Sequence, residues 1–289
     1  MSERKELKYV TGLLGLSAAV DLTDSTILFT HIPKAAGTTL DRIFEGVARL
    51  GGEIRGRAMG TYLGQYPRDD KMESSDYLRQ KIAATTGPFG VKYMSGHFPY
   101  GVHEVIPRAC AYVTLLRDPI QRCLSHFRMG LMRGAWTDDT PLAELFEQRL
   151  LLDNAQTRQI SGCTDAEAAC DETMLARAIH NLETDYVLFG TSEQFNAVLK
   201  ALITLLGWPD ILYSDFQTSD RRLSDAEEAR LAAELAGYNE FDQALYAHAD
   251  DRPDPWRDDL FEAAPAPGAG PFGAKVALIS ADIKFSERK

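Results

Sequence analysis

The chain is short of cysteine, of basic charge and of long apolar runs, and each shortage excludes a class of protein. Four cysteines in 289 residues (Cys110, Cys123, Cys163, Cys170) show no Cys-x-x-Cys spacing. They are too few for a disulfide scaffold, so free thiols are expected, although Cys163 and Cys170 flank a short loop that pairing could close. No run approaches 18 apolar residues, which excludes a hydrophobic transmembrane helix. The N-terminal Met1-Ser-Glu-Arg-Lys-Glu mixes charges and precedes only a short apolar stretch over 10–20, so it does not read as a secretory leader. Lys plus Arg number 31 against 42 Asp plus Glu, a formal charge of −11, which argues against a general nucleic-acid binder.

What is present is an ordinary apolar complement of 45% hydrophobic residues, enough for a sizeable core in a soluble globular protein. The charge is uneven. Residues 1–133 carry 18 basic and 13 acidic side chains, a balance of +5, whereas 134–289 carry 13 and 29, a balance of −16. The N-terminal half therefore leaves room for a small anionic ligand.

Two strand–turn–helix units stand out. Residues 26–32, Ser-Thr-Ile-Leu-Phe-Thr-His, lack polar alternation and fit a strand buried on both faces. A small polar segment comes next, and then Leu40, Ile43, Phe44, Val47 and Leu50 recur at helical spacing. Further along, 111–116 reads as another buried strand, ended by Arg117-Asp118-Pro119. Pro119 suits the first turn of a helix over about 119–133. A short strand over 91–95 leads into Gly96-His97.

The glycine-rich stretch 51–90 predicts loops with one polar helix near 72–84. The C-terminal half predicts helices over about 141–152, 172–183, 192–206 and 224–248, interrupted by a strand at 186–190. Five prolines over 252–271 mark a loose extension, with an edge strand or tail at 275–279. The pattern predicts an α/β fold with a mainly parallel sheet flanked by helices and a helical C-terminal half. One domain spans 1–250, and 251–289 is a Pro/Gly-rich extension. Ligands of such sheets lie beyond the carboxyl ends of the strands, where both turns fall.

The first turn, Pro33-Lys34-Ala35-Ala36-Gly37-Thr38-Thr39, is not a Walker A loop, because Lys34 precedes the glycine. Outward N–H groups at a helix start, Gly37 allowing close approach, the hydroxyls of Thr38 and Thr39 and the charge of Lys34 nevertheless suit a phosphate. By itself the segment fits an ordinary strand-to-helix turn with threonine capping equally well. The second turn places Arg117 at a strand end and Ser125 within the next helix, a fork and a hydroxyl able to hold one phosphate. A basic helix face with a proline start explains that segment as readily.

Taken together, His31-Ile-Pro-Lys34-Ala-Ala-Gly37-Thr38-Thr39 and Leu116-Arg117-Asp118-Pro119-x-x-Arg122-x-x-Ser125-x-Phe127 resemble the 5′-phosphosulfate and 3′-phosphate elements of the PAPS-dependent sulfotransferases. The likeness is to the carbohydrate O-sulfotransferases related to heparan sulfate 2-O- and 6-O-sulfotransferases. The segments 153–162, 186–195 and 239–246 also look like landmarks of that family. The resemblance departs at Ala35-Ala36, where the family more often has Thr-Gly or Thr-Ala. It implies a P-loop-type, nucleotide-kinase-like fold. The donor would be PAPS (3′-phosphoadenosine 5′-phosphosulfate) and the product nucleotide PAP (3′-phosphoadenosine 5′-phosphate), with no metal in the transfer. Lys34, Ala35, Ala36, Gly37, Thr38 and Thr39 would hold the 5′ end, and Arg117 and Ser125 the 3′-phosphate.

Transfer of a sulfuryl group to a hydroxyl needs a base. Of the six histidines, His180 and His248 fall on or beside C-terminal helices, His126 lies inside the cofactor helix, and His31 ends the first strand, where it could touch the site or orient the loop. His97, in Ser95-Gly96-His97-Phe98-Pro99-Tyr100, emerges at a strand end and resembles the family's Gly-His base element. His103 and then Glu104 are the next candidates, and a hydrogen-bonded loop histidine is the bland reading of His97. Lys34 would stabilise charge on the leaving oxygen.

The resemblance implies a carbohydrate or glycoconjugate acceptor; the charge balance argues against nucleic acid, and the lack of the membrane anchor of the related animal Golgi enzymes makes the cytoplasm the expected location. Arg55, Arg57, Arg68, Lys71, Arg79 and Lys81 could face an acidic glycan, and Tyr62, Tyr66, Phe98 and Tyr100 could stack on sugars; surface charge and core packing explain them equally well. The competing functions are a P-loop-like kinase or another nucleotide-dependent transferase, and a non-catalytic nucleotide-binding protein.

Overall fold

The computed structural model describes residues 7–13, 15–51, 92–106, 108–163, 165, 167–214, 223–251, 260–263 and 276–279. The expected helix near 72–84, the basic cluster from Arg55 to Lys81, Tyr62 and Tyr66 lie outside the described residues.

Two short strands, β1 (Lys8–Val10) and β2 (Leu16–Ala18), precede the first buried strand, β3 (Thr26–Thr30), whose five residues are all inaccessible. With β4 (Tyr93–Gly96), β5 (Cys110–Leu116) and β6 (Tyr186–Thr191) it makes a parallel sheet in the order β4-β3-β5-β6. The chain runs from β3 to β4 on one side, then crosses to β5 on the other. The strand order therefore reverses about β3, and a crevice opens beyond the carboxyl ends of β3 and β5.

Alternation along the strands divides the core. Ile27, Phe29, Val113 and Leu115 pack with Leu40, Ile43, Phe44 and Val47 of α1 (Gly37–Gly51) and with Val198 and Leu202 of α6 (Phe195–Leu206). Leu28, Met94, Tyr112 and Leu116 pack on the opposite face with Ile160 of α4 (Ala155–Ser161), Leu182 of α5 (Glu172–Thr184) and Leu245 of α8 (Glu240–Asp250). A third cluster joins α2 (Pro119–Met132), α3 (Leu142–Glu147) and α7 (Asp225–Ala236) through Leu124, Phe127, Leu145 and Leu235. This is the expected α/β architecture with a helical C-terminal half.

Several boundaries differ from the sequence expectation. The helix expected over 224–248 is two helices, α7 and α8. The chain turns where the Tyr238 and Asn239 amides bond back to Leu235 and Ala236, and buried Asn239 also donates to the Leu235 carbonyl. The helix expected over 141–152 stops at Glu147, because Arg149 takes φ +56° and the amides of Leu150 and Leu151 return to the Leu145 carbonyl. Helix α4 was not expected at all. Beyond residue 250, β8 (Phe261–Ala263) pairs antiparallel with β2, and β9 (Val276–Ile279) pairs in parallel with β7 (Asp210–Tyr213), itself antiparallel to β1. The four cysteines are free thiols. Among the described residues, no helix is long and apolar enough to cross a membrane.

Candidate functional site

β3 and β4 end in register and β5 runs two residues further, so the segments leaving them lie at one edge of the sheet: His97 directly after β4, the loop 31–36 after β3, and Arg117 after β5. In the loop, Lys34 and Ala36 adopt left-handed φ of 71° and 59°. For residues with a Cβ this costs on the order of 1–3 kcal/mol each. Such alternation turns successive N–H groups toward one side, forming a concavity for an anion. The amides of Ala36, Gly37 and Thr38, at the start of α1, have no acceptor among the described residues. Ala35 points its methyl into the core, so that residue offers a ligand only its backbone.

The second turn is tied directly to the first: Arg117 donates from Nη1 to the Lys34 carbonyl at 2.9 Å. Asp118 caps α2 by accepting from the Gln121 amide at 2.8 Å, and Pro119 occupies the first helical position, as the sequence predicts. Ser125 lies half-buried on α2, its hydroxyl without a protein partner among the described residues. Arg122, in the same segment, points inward: it is 2% exposed and faces Asp242 at 4.0 Å.

A cleft of about 600 Å³ opens beside the loop, lined by His31, Lys34, Thr38, His97, His126, Met129, Arg133 and Trp136 among others. Two of its lining residues are cations, three are histidines and none is acidic. Lys34 reaches the Met129 sulfur at 3.9 Å. Burial, and then the charges of Arg117 and Arg133, push its ammonium below its ordinary value. Burial likewise lowers Arg117. Burial also drops His126 to about 3, helped by Arg122, Lys34 and Arg133. A bound anion would relieve each of these costs. Ala36 and Thr39 line a second, polar cleft of about 590 Å³ with Lys8, Gln194 and Lys200, so the loop divides two cavities.

His97 lies 2.7 Å through Nδ1 from the main-chain carbonyl of His31. A carbonyl only accepts, so Nδ1 carries the proton and Nε2 the lone pair. Burial, and then the neighbouring His31, lower its pKa to about 4. His31, a residue the sequence left undecided, lines the same cleft, its ring centroid 4.5 Å from that of His97. His31 Nδ1 in turn donates to Asp41 on α1 at 2.9 Å. The remaining candidates are elsewhere. His103 bonds the Tyr112 hydroxyl, Glu104 is exposed, and His248 pairs with Glu183. Phe98 is fully buried and packs in the core, while Tyr100 is half-buried, donates to Asp185 and packs beside Tyr112.

Gly37 also has a packing role that the sequence does not show. An added Cβ would lie 2.1 Å from the His31 ring, so the glycine makes room for that ring. Asp41, Phe29 and His97 hold the ring in place. Alanine at a helical position ordinarily gains about 1 kcal/mol over glycine. Gly37→Ala is instead expected to lose about 1–3 kcal/mol through overpacking, measured as a lower urea midpoint.

Helix α4 supplies residues the sequence reading missed. Gln156 brackets the Arg117 backbone, accepting from its amide at 3.0 Å and donating to its carbonyl at 2.9 Å. Gln159 donates to the carbonyls of His31 at 3.2 Å and Phe98 at 3.1 Å, and its own carbonyl takes the Tyr100 amide. One buried helix thus ties all three strand ends together. Asp242 of α8 caps α4 by accepting from the amides of Gln156 and Thr157, while Asn154 accepts from the amides of Phe241 and Asp242 in return.

No family model and no curated protein matches the chain. Among solved structures, a sulfotransferase from Alicyclobacillus acidocaldarius is similar to it at 17% identity and a TM-score of 0.40, over 78% of this chain and 96% of that one.

Proposed function

We propose that this protein is a sulfotransferase, moving a sulfuryl group from PAPS to a hydroxyl of a carbohydrate or glycoconjugate. The observation that carries the reading is the contact of Arg117 with the Lys34 carbonyl. It joins two phosphate-type turns, the first of which lines a cleft without acidic lining residues that also holds His97. Lys34 and the amides of Ala36, Gly37 and Thr38 would take the 5′-phosphosulfate, with Ala35, Thr38 and Thr39 completing the loop. Arg117 and Ser125 would take the 3′-phosphate.

Those positions set the chemistry. The acceptor oxygen attacks sulfur in line with the bridging oxygen of the donor. A new O–S bond forms and the bridging S–O bond breaks, its electron pair leaving on the 5′-phosphate of PAP. His97 Nε2 takes the acceptor proton, and Lys34 offsets the charge that develops on the bridging oxygen.

The test is differential ligand binding followed by transfer. PAP at about 100 times its Kd is expected to raise Tm by about 5–10 °C, whereas ATP with Mg²⁺ leaves Tm unchanged. Labelled sulfate from PAPS should then appear on a member of a panel of neutral and acidic glycans. Stabilisation by ATP with Mg²⁺ instead of PAP overturns the reading in favour of a kinase. Binding of PAP with no transfer to any acceptor favours a nucleotide-binding protein.

A further inference from the structure

Asp41 lies near the start of α1, outside the residues that line the cleft. Its carboxylate receives three donors from two elements: the His31 ring from the loop, and the hydroxyls of Tyr93 and Ser95 from β4. Tyr93 and Ser95 are two residues apart and so share one face of the strand. An ionised carboxylate accepts and never donates, so it can take all three contacts at once. Burial, and then the Asp41 charge, hold the Tyr93 hydroxyl well above its usual value. Asp41 keeps only 22% of its side-chain surface and His31 12%.

His31 is fixed from every side. Asp41 holds Nδ1, Phe29 stacks on the ring at 5.5 Å, Gly37 lies against one edge, and the His97 ring lies against it at 4.5 Å. Its main-chain carbonyl accepts from both His97 and Gln159. The path from Asp41 to His97 is therefore continuous: carboxylate, His31 ring, then ring contact and carbonyl to His97.

We propose that Asp41 and His31 form a positioning pair for His97, in which Asp41 locks His31 and supplies the counter-charge for the imidazolium formed when His97 takes the acceptor proton. This rests on the sulfuryl-transfer reading above. The surroundings show why a counter-charge is needed. Lys34 from the loop, His126 and Arg122 from α2 and Arg133 at its end present no negative charge to His97. Tyr93 on β4 is neutral, and Glu45 on α1 is paired with Arg42. Burial and His31 oppose a proton on His97, and Asp41 is the carboxylate that favours one. The arrangement is that of a base with an acidic orienter behind it, here acting through a second histidine.

The test compares Asp41→Asn, Asp41→Glu and His31→Asn in the full chain. Asp41→Asn keeps the size and an acceptor but removes the charge. It is expected to lower kcat about 10–100-fold, in the range of groups that orient an essential histidine. The Kd for PAP should stay within about twofold, since no phosphate contact changes. Loss of the negative neighbour disfavours the imidazolium, so the acid limb of the kcat profile should move to lower pH by about one unit. His31→Asn removes the ring that opposes a proton on His97, so it should move the limb the other way, to higher pH, whereas Asp41→Glu, which keeps the charge, should leave the limb at its native position. Nitrogen NMR of the PAP complex, with His97 assigned through His97→Asn, reads the same titration without any acceptor. A His97 midpoint that falls in Asp41→Asn and rises in His31→Asn supports the pair even where no transfer is found. An unmoved midpoint and profile overturn it, as does a fall in kcat matched by an equal loss of PAP affinity.

Discussion

Replacing His97 by alanine is expected to lower turnover by about 10²–10⁴-fold, with PAP affinity held within about twofold. The size reflects what the imidazole does: it alone is assigned the proton that the acceptor hydroxyl must lose. The separation from binding is a matter of geometry. His97 is anchored on the main-chain carbonyl of His31, whereas the two turns proposed to hold the phosphates are tied together by Arg117 and Lys34. Its proton on Nδ1 leaves Nε2 as the basic nitrogen, and its pKa of about 4 keeps it unprotonated at neutral pH. Activity of the native protein should therefore rise with pH as His97 loses its proton, with the kcat/KM limb near that value. Steady-state rates at saturating donor, beside calorimetric titration with PAP, measure both halves. Residual turnover within about tenfold of the native rate would remove His97 from the role. His103 would not then inherit it, because its ring is committed to the Tyr112 hydroxyl; His31 would be next.

The strand ends were legible because β3 and β5 are buried on both faces and so read as unbroken apolar, β-branched runs. Pro119 marked the start of α2, and the spacing of Leu40, Ile43, Phe44 and Val47 marked the buried face of α1. Hence Lys34, His97 and Arg117 could each be placed at a strand end from local pattern alone, and the sheet order brings those ends together.

Helix α4 was invisible for a physical reason. Its sequence, Ala-Gln-Thr-Arg-Gln-Ile-Ser, has no apolar face, yet all seven residues are buried. Its polar side chains are inside because they bond backbone groups of the surrounding turns, and hydrophobic periodicity does not register burial compensated by hydrogen bonds. Asp41 escaped notice in the same way. On an amphipathic helix it reads as a solvated acid, and only the pairing of β3 with β4 brings Tyr93 and Ser95 to it. Strands such as β1, β2 and β8 are three residues long with partners about 200 to 250 residues away, so local pattern carries almost no trace of them.

Asp242→Ala is expected to destabilise the fold by about 3–5 kcal/mol, the range for removing one partner of a buried ion pair. Asp242 is fully inaccessible. Burial pushes its carboxyl upward, while Arg122 and the amides of Gln156 and Thr157 hold it toward the charged form. Alanine would leave Arg122, itself 2% exposed and already with an unpartnered Nε, as a buried charge with no counter-ion. It would also strip two amides at the start of α4 of their acceptor. Tm should fall by about 10 °C for a chain of this size, and a loss under about 1 kcal/mol would show that Arg122 finds another partner. Asp242→Asn, which keeps an acceptor but not the charge, should lose less. The damage should reach the proposed nucleotide site as well. Gln156 and Gln159 hold Arg117 and His31 only while α4 stays docked. PAP affinity in Asp242→Ala should therefore decline well below Tm, whereas His97→Ala leaves it intact, and calorimetry on the two variants side by side separates the support of the site from its chemistry.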